Sequence, residues 1–281
     1  MTTTFFQNKK CLLTGAASGI GKATALLLAE QGAELFLTDI NTNALQETVD
    51  TITKKGGKVS AHKSFSITDF EQVKLFAQEI HTQHKAMDIV MNIAGISAWG
   101  AVDKMKHEEW NNIIDINLKG PIHIIEAFVP AMINQQKGHV VNVSSAAGLF
   151  GLPWHGAYSA SKYGLRGLSD VMRHDLKRYN IRTHLVCPGA VDTGLVHSIS
   201  ISGVTISDEE LQTLKARFQK HAVKPEQAAK TILKGIEKNN YLIFTSFDIR
   251  FGHWAQRKFT FIYEWMMQKM NDYFQNTLTG K

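Results

Sequence analysis

Seven short apolar runs are spaced along the chain, and each is followed by a segment with the polar and apolar periodicity of a helix. An apolar run without polar alternation is typical of a strand buried on both faces of a parallel sheet. Parallel strands need crossover segments, and the helical segments supply them. The pattern predicts an α/β fold, a doubly wound, seven-stranded parallel sheet with helices on both faces. The predicted strands are 10–14, 34–38, 58–62, 87–91, 138–143, 181–186 and 241–246.

The chain has 281 residues and contains no linker, low-complexity run or internal repeat up to residue 246. This length is enough for one large or two small domains. Because the alternation of strands and helices is uninterrupted, the sequence predicts one domain over residues 1–246. Residues 247–281 follow the last predicted strand as an extension rich in aromatic residues.

The first predicted strand runs directly into a glycine-rich turn, Gly15-Ala-Ala-Ser18-Gly19-Ile20-Gly21, and then into a segment of helix formers. Glycines let the backbone approach an anion closely, and a helix N-terminus offers free N–H groups and the positive end of its dipole. We therefore expect this turn to hold the phosphates of a dinucleotide. The alternative is that the glycines serve only a tight turn.

The second predicted strand ends in Asp39, where a carboxylate can accept hydrogen bonds from the adenosine ribose hydroxyls of NAD. The same carboxylate would repel the additional phosphate of NADP, and none of Ile40, Asn41 and Ser18 is a cation that would hold that phosphate. The sequence therefore favours NAD(H) over NADP(H). Asp39 or Asn41 can also cap the helix that starts near Asn43, and the two roles are compatible.

The most informative motif is Tyr158-Ser-Ala-Ser-Lys162, preceded by Ser144-Ser145. A phenol with an ordinary pKa of about 10 is a poor acid and a poor base at neutral pH. An ammonium four residues later on the same helix face favours the phenolate. With a serine hydroxyl nearby to hold a carbonyl oxygen, the set predicts proton transfer coupled to chemistry at a C–O bond.

Together these motifs resemble those of the short-chain dehydrogenase/reductase family, in order from about Lys9 to about Ser246. The resemblance implies a Rossmann-like fold, with residues 1–246 as a single Rossmann-type catalytic domain, and hydride transfer with a nicotinamide cofactor. The matching motifs are Thr14-Gly15-Ala-Ala-Ser-Gly19-Ile-Gly21, Asn92-Ile-Ala94-Gly95, Asn117 in Asp-Ile-Asn-Leu-Lys-Gly, Asn142-Val-Ser-Ser145, Tyr158-x-x-x-Lys162 and Pro188-Gly189.

The resemblance also implies the roles of the catalytic residues. Tyr158 is expected to be the general acid and base. Lys162 is expected to lower the pKa of Tyr158 and to bond the nicotinamide ribose. Ser145, in preference to Ser144, is expected to orient the substrate oxygen. Asn117 is expected to hold a water molecule that links Lys162 to bulk solvent.

A larger set of residues is implied to contact the cofactor. Ser66 stands where the family usually has an aspartate that contacts adenine, so this contact lacks a charge. Ile93 replaces a common asparagine, which removes one polar contact supporting the sheet. The expected cofactor contacts are Gly15, Ser18, Gly19, Ile20, Gly21, Asp39, Ser66, Ile67, Asn92, Ala94, Gly95, Tyr158, Lys162, Pro188, Gly189, Val191 and Thr193.

A substrate loop is expected at about residues 190–222, between the Pro188-Gly189 turn and a helix that begins near Pro225. From Leu195 onward this loop is apolar and rich in serine, and it has no Lys or Arg before Lys215. A pocket without convergent cations favours a small hydrophobic alcohol or ketone over a phosphorylated substrate. The expected substrate contacts are Ser145, Trp99, Trp154, His155 and Leu195.

The composition of the chain limits the kinds of partner and cofactor that are expected. The net charge is +6, but the basic pairs Lys9-Lys10 and Lys54-Lys55 stand apart, so no nucleic-acid partner is expected. Two cysteines predict no disulfide framework, and twelve histidines without ligand spacing predict no metal. The N-terminal residues lack the apolar core of a signal peptide, so a cytoplasmic protein is expected.

Gly156, Ala160, Gly164 and Gly167 place small side chains along one stripe of a predicted helix. Glycine costs about 1 kcal/mol in a helix interior, so a close backbone approach is expected to compensate. The stripe can pack within the chain or against a second subunit. Because the resembled family commonly builds its dimer from this helix and its predecessor, a homodimer or homotetramer is expected.

In the extension, Phe259, Ile262, Met266, Met270 and Tyr273 recur at helical spacing, which predicts an amphipathic helix. Three interpretations stay open. The helix packs against the body or a partner subunit, or it forms a lid or wall of an apolar substrate pocket, or it makes a weak membrane-surface contact through aromatic rings and neighbouring cations.

These observations predict an NAD(H)-dependent oxidoreductase that interconverts a hydrophobic secondary alcohol and its ketone. One alternative is an NADPH-linked 3-oxoacyl thioester ketoreductase, against which Asp39 argues. Another is a non-catalytic dinucleotide-binding or lipid-surface protein. The complete set Asn117, Ser145, Tyr158 and Lys162 argues against it, because a sensor needs no proton donor.

Overall fold

The computed structural model describes residues 5–194, 201–203 and 222–279. Its strands are β1 (Lys10–Thr14), β2 (Glu34–Asp39), β3 (Lys58–Ser64), β4 (Ile89–Asn92), β5 (Trp99–Gly100), β6 (Gly138–Val143), β7 (Ile181–Cys187), β8 (Ile201–Ser202) and β9 (Leu242–Phe244). Its helices are α1 (Gly19–Glu30), α2 (Thr42–Lys54), α3 (Phe70–His84), α4 (His107–Ile114), α5 (Gly120–Gln135), α6 (Gly156–Asp175), α7 (Pro225–Glu237), α8 (Phe247–Lys258) and α9 (Thr260–Thr279).

The main sheet has seven parallel strands in the order β3-β2-β1-β4-β6-β7-β9. This confirms the predicted doubly wound sheet, and each predicted strand agrees with the structure to within two residues at either end. The direction of winding reverses between β1 and β4. In such folds the carboxyl ends of the strands open a crevice at this point, which is the usual ligand position.

Two apolar layers enclose the sheet. Cys11 and Leu13 of β1 face the layer under α1, α2 and α7, whereas Leu12 faces the layer under α3, α5 and α6. Both faces of the central strands are therefore buried. This burial explains why the strands are read from the sequence as continuous apolar runs.

A second sheet, formed by β5 and β8, was not predicted. Trp99 pairs with Ile201, and the Ser202 hydroxyl donates to the Glu109 carboxylate at 2.6 Å. Strands of two residues are too short to show a period, so their pairing depends on tertiary contacts. Of the predicted substrate loop, residues 190–194, 201–203 and 222 are described, and Leu195 lies outside the described residues.

The extension forms two helices, α8 and α9, instead of one, because the chain turns at Phe259. The predicted stripe is also not the side that faces the body. Met266 and Tyr273 are exposed, whereas Tyr263 and Phe274 contact the domain. The difference arises because α9 carries apolar residues on both of its sides, so periodicity alone does not select the inner one.

A buried polar chain joins α6 to the middle of the sheet. Asn92 Nδ2 donates to Asn142 Oδ1 at 2.9 Å, and Asn142 Nδ2 donates to Ser169 Oγ at 2.9 Å. The Ser169 hydroxyl in turn donates to the Leu165 carbonyl at 2.7 Å. This chain sets the depth at which α6 lies on the sheet, and α6 carries the motif at 158–162.

We expect Ser169→Ala to lower the free energy of unfolding by about 1–3 kcal/mol, because it leaves the buried Asn142 amide without an acceptor. Denaturant unfolding measures the change. Ser159→Ala is the matched control on the same helix, since the buried Ser159 hydroxyl has no hydrogen-bond partner in the described structure. Equal losses of unfolding free energy in the two variants would contradict a stabilising role of the buried polar chain.

Candidate active site

In the glycine turn, backbone packs directly against backbone. A Cβ on Gly21 would lie 1.9 Å from the Gly15 carbonyl oxygen, and a Cβ on Gly15, where φ is +72°, would lie 2.8 Å from Ala94 Cα. Side chains are therefore excluded at both positions. At the start of α1, Ser18 makes no side-chain capping bond with a described residue, which leaves the first N–H groups open to an anion. The turn fits the diphosphate of a dinucleotide.

Thr14 joins the two strands that border the crevice. Its hydroxyl oxygen accepts hydrogen bonds from the N–H groups of Ile93 at 3.0 Å and Ala94 at 3.1 Å. Thr14 stands first in the glycine-turn motif, and no role was expected for it from the sequence. The available signal was a polar residue that ends an apolar strand directly before the glycine turn. Thr14 thus links the end of β1 to the backbone that follows β4, at the floor of the crevice.

Asp39 lies at the end of β2 beside the glycine turn. Its carboxylate accepts hydrogen bonds from the Ala17 N–H at 2.9 Å and the Asn41 N–H at 3.0 Å. Asn41, and not Asp39, is the N-cap of α2, because its side chain accepts from the Ala44 N–H at 3.1 Å. Each carboxylate oxygen of Asp39 has a further lone pair for a ribose hydroxyl.

The residues expected on the adenine side are held by local contacts. The Ser66 hydroxyl bonds the Thr68 hydroxyl at 2.8 Å, and the Ile67 carbonyl accepts from His123 Nδ1 at 2.9 Å. Ile67 is buried. Asn92 is also buried, in the polar chain that leads to α6, and its Oδ1 has no partner among the described residues. The geometry therefore makes Asn92 a support of the crevice floor.

The turn after β7 is tied to the turn after β6. The Pro188 carbonyl accepts a hydrogen bond from the Ala146 N–H at 2.7 Å. Gly189 packs against α8, since a Cβ there would lie 2.8 Å from a side-chain carbon of Ile249. The extension thus contacts one of the expected cofactor-binding turns directly.

Val191 and Thr193 continue this segment toward the glycine turn. Val191 forms an isolated bridge with Val223, just before α7. A Cβ on Gly19 would lie 3.0 Å from Thr193 Cγ2, so the Thr193 side chain lies directly over the turn. The segment after β4 therefore packs against Gly15 of the glycine turn, and the segment after β7 packs against Gly19.

Ser145, Tyr158 and Lys162 meet where β6 ends and α6 begins. The Ser145 hydroxyl lies beside the Tyr158 phenol, and this interaction acts to lower the pKa of the phenol. Lys162 Nζ lies 5.7 Å from the centre of the Tyr158 ring and donates to the Val143 carbonyl at 3.1 Å. The Ser144 hydroxyl points to the other side and donates to the Lys162 carbonyl at 2.9 Å. Ser145 is therefore the serine that shares a face with the phenol.

Asn117 lies in a single π-helical turn, Asp115–Lys119, between α4 and α5. Its side chain bonds both backbone groups of Ile96 at 2.9 Å, and its Nδ2 also donates to Ser161 Oγ at 3.2 Å. A Cβ on Gly95 would lie 3.0 Å from its Oδ1. Turns of this kind are frequent at functional sites, and here one holds the β4 exit against α6.

Burial dominates the titration of both central groups. It raises the pKa of Tyr158, and the hydrogen bond from Ser145 opposes this rise to a smaller extent. It also lowers the pKa of Lys162 to about 8. Lys162 Nζ donates to the Val143 carbonyl in this structure, and that Lys162 lowers the pKa of Tyr158 stays a prediction.

Aromatic rings form a wall beside Tyr158. The centres of the His155 and Tyr158 rings are 6.4 Å apart, and the Trp99 ring lies 4.5 Å from His155. Phe274 of α9 lies 6.1 Å from Trp99 and 6.3 Å from Trp154. Trp99, Trp154 and His155 were expected here from the sequence, whereas Phe274 was not, because only the fold of the extension brings it to this wall.

A groove of about 660 Å³ lies next to the aromatic wall, between residues 101–103, residues 151–154 and α9. The Tyr263 hydroxyl fastens α9 at this groove by accepting from the Gly151 N–H at 2.9 Å. Asp103 and Glu264 line it, and no described residue of its lining is a lysine or arginine. The groove therefore suits an uncharged ligand better than an anionic one.

The same described ranges bear on other kinds of site. They contain no group of three or more His, Cys, Asp or Glu side chains that could hold a metal ion. Cys11 and Cys187 are buried free thiols. No helix in the described part is both long enough and apolar enough to cross a membrane.

Comparisons with known proteins agree with this geometry. The family model described as short chain dehydrogenase matches residues 9–202. A 3-oxoacyl-acyl-carrier-protein reductase from Thermotoga maritima is 35% identical over 81% of this chain and 89% of its own length. A cyclohexanol dehydrogenase from an Acinetobacter species is 33% identical over 81% of this chain and 87% of its own length.

A crystal structure of a short-chain dehydrogenase/reductase from Burkholderia phymatum in complex with NAD is also similar. It has a TM-score of 0.81 and 25% identity, and the match covers 92% of this chain and 96% of that one. The chain belongs to the short-chain dehydrogenase/reductase family. It is accordingly an NAD(P)-dependent dehydrogenase/reductase that acts on CH–OH and C=O groups.

We expect Lys162→Met to abolish turnover and to raise the free energy of unfolding by about 1–3 kcal/mol near pH 7, without added nucleotide. The reason is that a buried ammonium is replaced by an apolar side chain of similar volume. Wild-type stability should rise as the pH increases past about 8, where folded Lys162 loses its proton before the unfolded chain does.

The stability difference should therefore shrink at alkaline pH. Thermal unfolding followed at several pH values measures it, with exposed Lys177→Met as the control. A difference that stays constant between pH 7 and pH 10 would contradict a buried, titrating Lys162.

Proposed function

We propose that this enzyme interconverts hydrophobic secondary alcohols and ketones with NAD(H). The observation that carries the proposal is the position of Ser145 beside the Tyr158 phenol, next to the wall of Trp99, His155 and Phe274. Proton-transfer groups lie at the edge of an aromatic, water-poor surface. Such a surface accommodates an apolar carbon skeleton next to the reacting oxygen.

In the proposed oxidation, Tyr158 as phenolate takes the proton from the alcohol oxygen, and in reduction the phenol returns it. Ser145 donates a hydrogen bond to the same oxygen as charge develops on it, an effect that grows where water is excluded. The nicotinamide supplies the hydride chemistry when it is bound. As the family resemblance implied, Lys162 would bond the nicotinamide ribose, and Asn117 would hold a water molecule that links Lys162 to bulk solvent.

Asp39 supports NAD(H) as the preferred cofactor. Its carboxylate is oriented by the Ala17 and Asn41 N–H groups at the edge of the glycine turn, where it is half-buried. An additional phosphate on the ribose would meet this negative charge at close range. The NAD complex of the Burkholderia phymatum protein is consistent with this choice.

The groove under α9 distinguishes the two substrate classes. The Thermotoga maritima relative is named for a 3-oxoacyl thioester, and the Acinetobacter relative for cyclohexanol. An acyl-carrier thioester carries a phosphate, whereas the described groove lining contains Asp103 and Glu264 and no cation. The groove therefore favours the uncharged alcohol or ketone as substrate.

We also propose that the enzyme is a cytoplasmic homodimer or homotetramer that uses α6. Within the chain, Gly156 approaches Trp110 and Gly164 approaches Leu118. Gly167 has no heavy atom within 4 Å of its Cβ position, and the neighbouring Val171 is 57% exposed. This open part of the small-residue stripe is suited to contact with a second subunit. Light scattering tests it.

We expect Tyr158→Phe to reduce kcat by at least about 10²–10⁴-fold, because it removes the proton-transfer group, while NADH affinity stays unchanged. Absorbance of reduced nicotinamide with a panel of cyclic and long-chain secondary alcohols measures turnover, and NADH fluorescence measures binding. Tyr163→Phe is the control, since that phenol lies on the same helix but donates to the Leu149 carbonyl. Substantial turnover in Tyr158→Phe would refute the mechanism.

We expect Asp39→Asn to shift the ratio of kcat/KM values for NAD⁺ and NADP⁺ toward NADP⁺ by about tenfold or more. The substitution removes the charge but keeps an oxygen that can accept from the Ala17 N–H. Steady-state kinetics with both cofactors measures the ratio. A wild-type enzyme that prefers NADP⁺, or a variant with an unchanged ratio, would show that Asp39 does not select the cofactor.

A further inference from the structure

Helices α8 and α9 present a row of aromatic rings to solvent. Every ring in the row is at least 42% exposed, although residues of this type are usually buried. We name this row the outer face. It consists of Phe247, Phe251, Trp254, Phe259, Phe261 and Trp265.

Four rings of the outer face, from Phe247 to Phe259, form a continuous row. The ring centres of Phe247 and Phe251 are 6.2 Å apart, those of Phe251 and Trp254 are 5.7 Å apart, and those of Trp254 and Phe259 are 6.0 Å apart. Single exposed apolar residues are common on soluble proteins, but a contiguous patch marks a binding surface.

The opposite side of the extension is already packed on the domain. Tyr263 bonds Gly151, Phe274 contacts Trp99, and Ile249 of α8 lies against Gly189. Rotating the helices to bury the outer face would break these contacts. The outer face therefore needs a partner other than the domain to which α8 and α9 belong.

Exposed cations flank the rings. They are Arg250, Arg257, Lys258 and Lys269, and none of them forms an ion pair within the described ranges. The acids of these helices are Asp248, Glu264 and Asp272. Asp248 lies in the first turn of α8, Glu264 lines the groove on the inner side, and Asp272 accepts from Gln268. The outer face thus combines aromatic rings with exposed cations that form no ion pair in the described part of the chain.

We propose that the outer face docks the enzyme on a lipid bilayer that carries anionic headgroups. Aromatic rings favour the interface between headgroups and acyl chains, and cations beside them attract anionic lipid. A second copy of the chain is a poorer partner, because a two-fold contact would bring the same cations together. The groove lined by α9 then lies next to the bilayer, although docking itself does not depend on the proposed substrate.

Sedimentation of the full-length protein with vesicles tests the docking. We expect binding to phosphatidylcholine vesicles that contain phosphatidylglycerol, weaker binding to phosphatidylcholine alone, and loss of the difference at high salt. Phe251→Ser should weaken binding about tenfold. Leu75→Ser is the matched control on α3, because Leu75 is 51% exposed and Phe251 is 53% exposed.

A second pair of variants tests the charges. Arg257→Gln with Lys258→Gln should weaken binding to the anionic vesicles about tenfold and leave binding to phosphatidylcholine unchanged. Lys177→Gln with Arg178→Gln, an exposed basic pair beyond α6, should have no effect. Melting temperature and turnover of a water-soluble alcohol confirm that each variant is folded.

Three outcomes would overturn the proposal. The wild-type protein fails to bind either kind of vesicle, or Phe251→Ser and Leu75→Ser bind equally well, or Phe251→Ser instead lowers the molecular mass measured by light scattering. The last outcome would assign the outer face to a second copy of the chain. Because no substrate is present in the sedimentation, failure here is separate from failure of the proposed reaction.

Discussion

A lysine ammonium held out of water is the constraint around which this active site is arranged. Lys162 is buried, its pKa is lowered to about 8, and its Nζ donates to the carbonyl that ends β6. An ion in this position is tolerated only if the surrounding groups are placed accurately. Gly95, after β4, leaves no space for a side chain beside the ammonium, and the polar chain from Asn142 to Ser169 sets the depth of α6. Burial of the Lys162 ammonium therefore lowers the stability of the fold at the active site.

The same arrangement explains how one helix serves two halves of the reaction. The first turns of α6 place Tyr158 beside Ser145, on the proposed substrate side, and Lys162 beside the Val143 carbonyl, on the proposed cofactor side. The crevice exists because the sheet reverses direction between β1 and β4, where Thr14 binds the two exits together. In the proposed reaction, proton transfer and cofactor binding are therefore coupled through the rigid elements that carry these residues.

The extension is what distinguishes this enzyme from the bare fold. Its inner side completes the aromatic wall with Phe274 and fastens to Gly151 through Tyr263, and its outer side exposes a continuous row of rings. Sequence periodicity showed that the extension is helical and apolar. It did not separate the two sides, because α9 is apolar on both and only packing against the domain selects the inner one.

The sequence by itself determined the seven strands, their layered burial, the glycine turn and the motif of Tyr158 and Lys162. Each of these follows from local chemistry: an apolar run, a backbone that admits no side chain, or a spacing of one helical turn. Tertiary structure alone decided the β5 and β8 pairing, the support from Thr14, the place of Phe274 and the direction of the Tyr158 pKa shift. These depend on burial and on contacts between segments far apart in the chain, which no local pattern encodes.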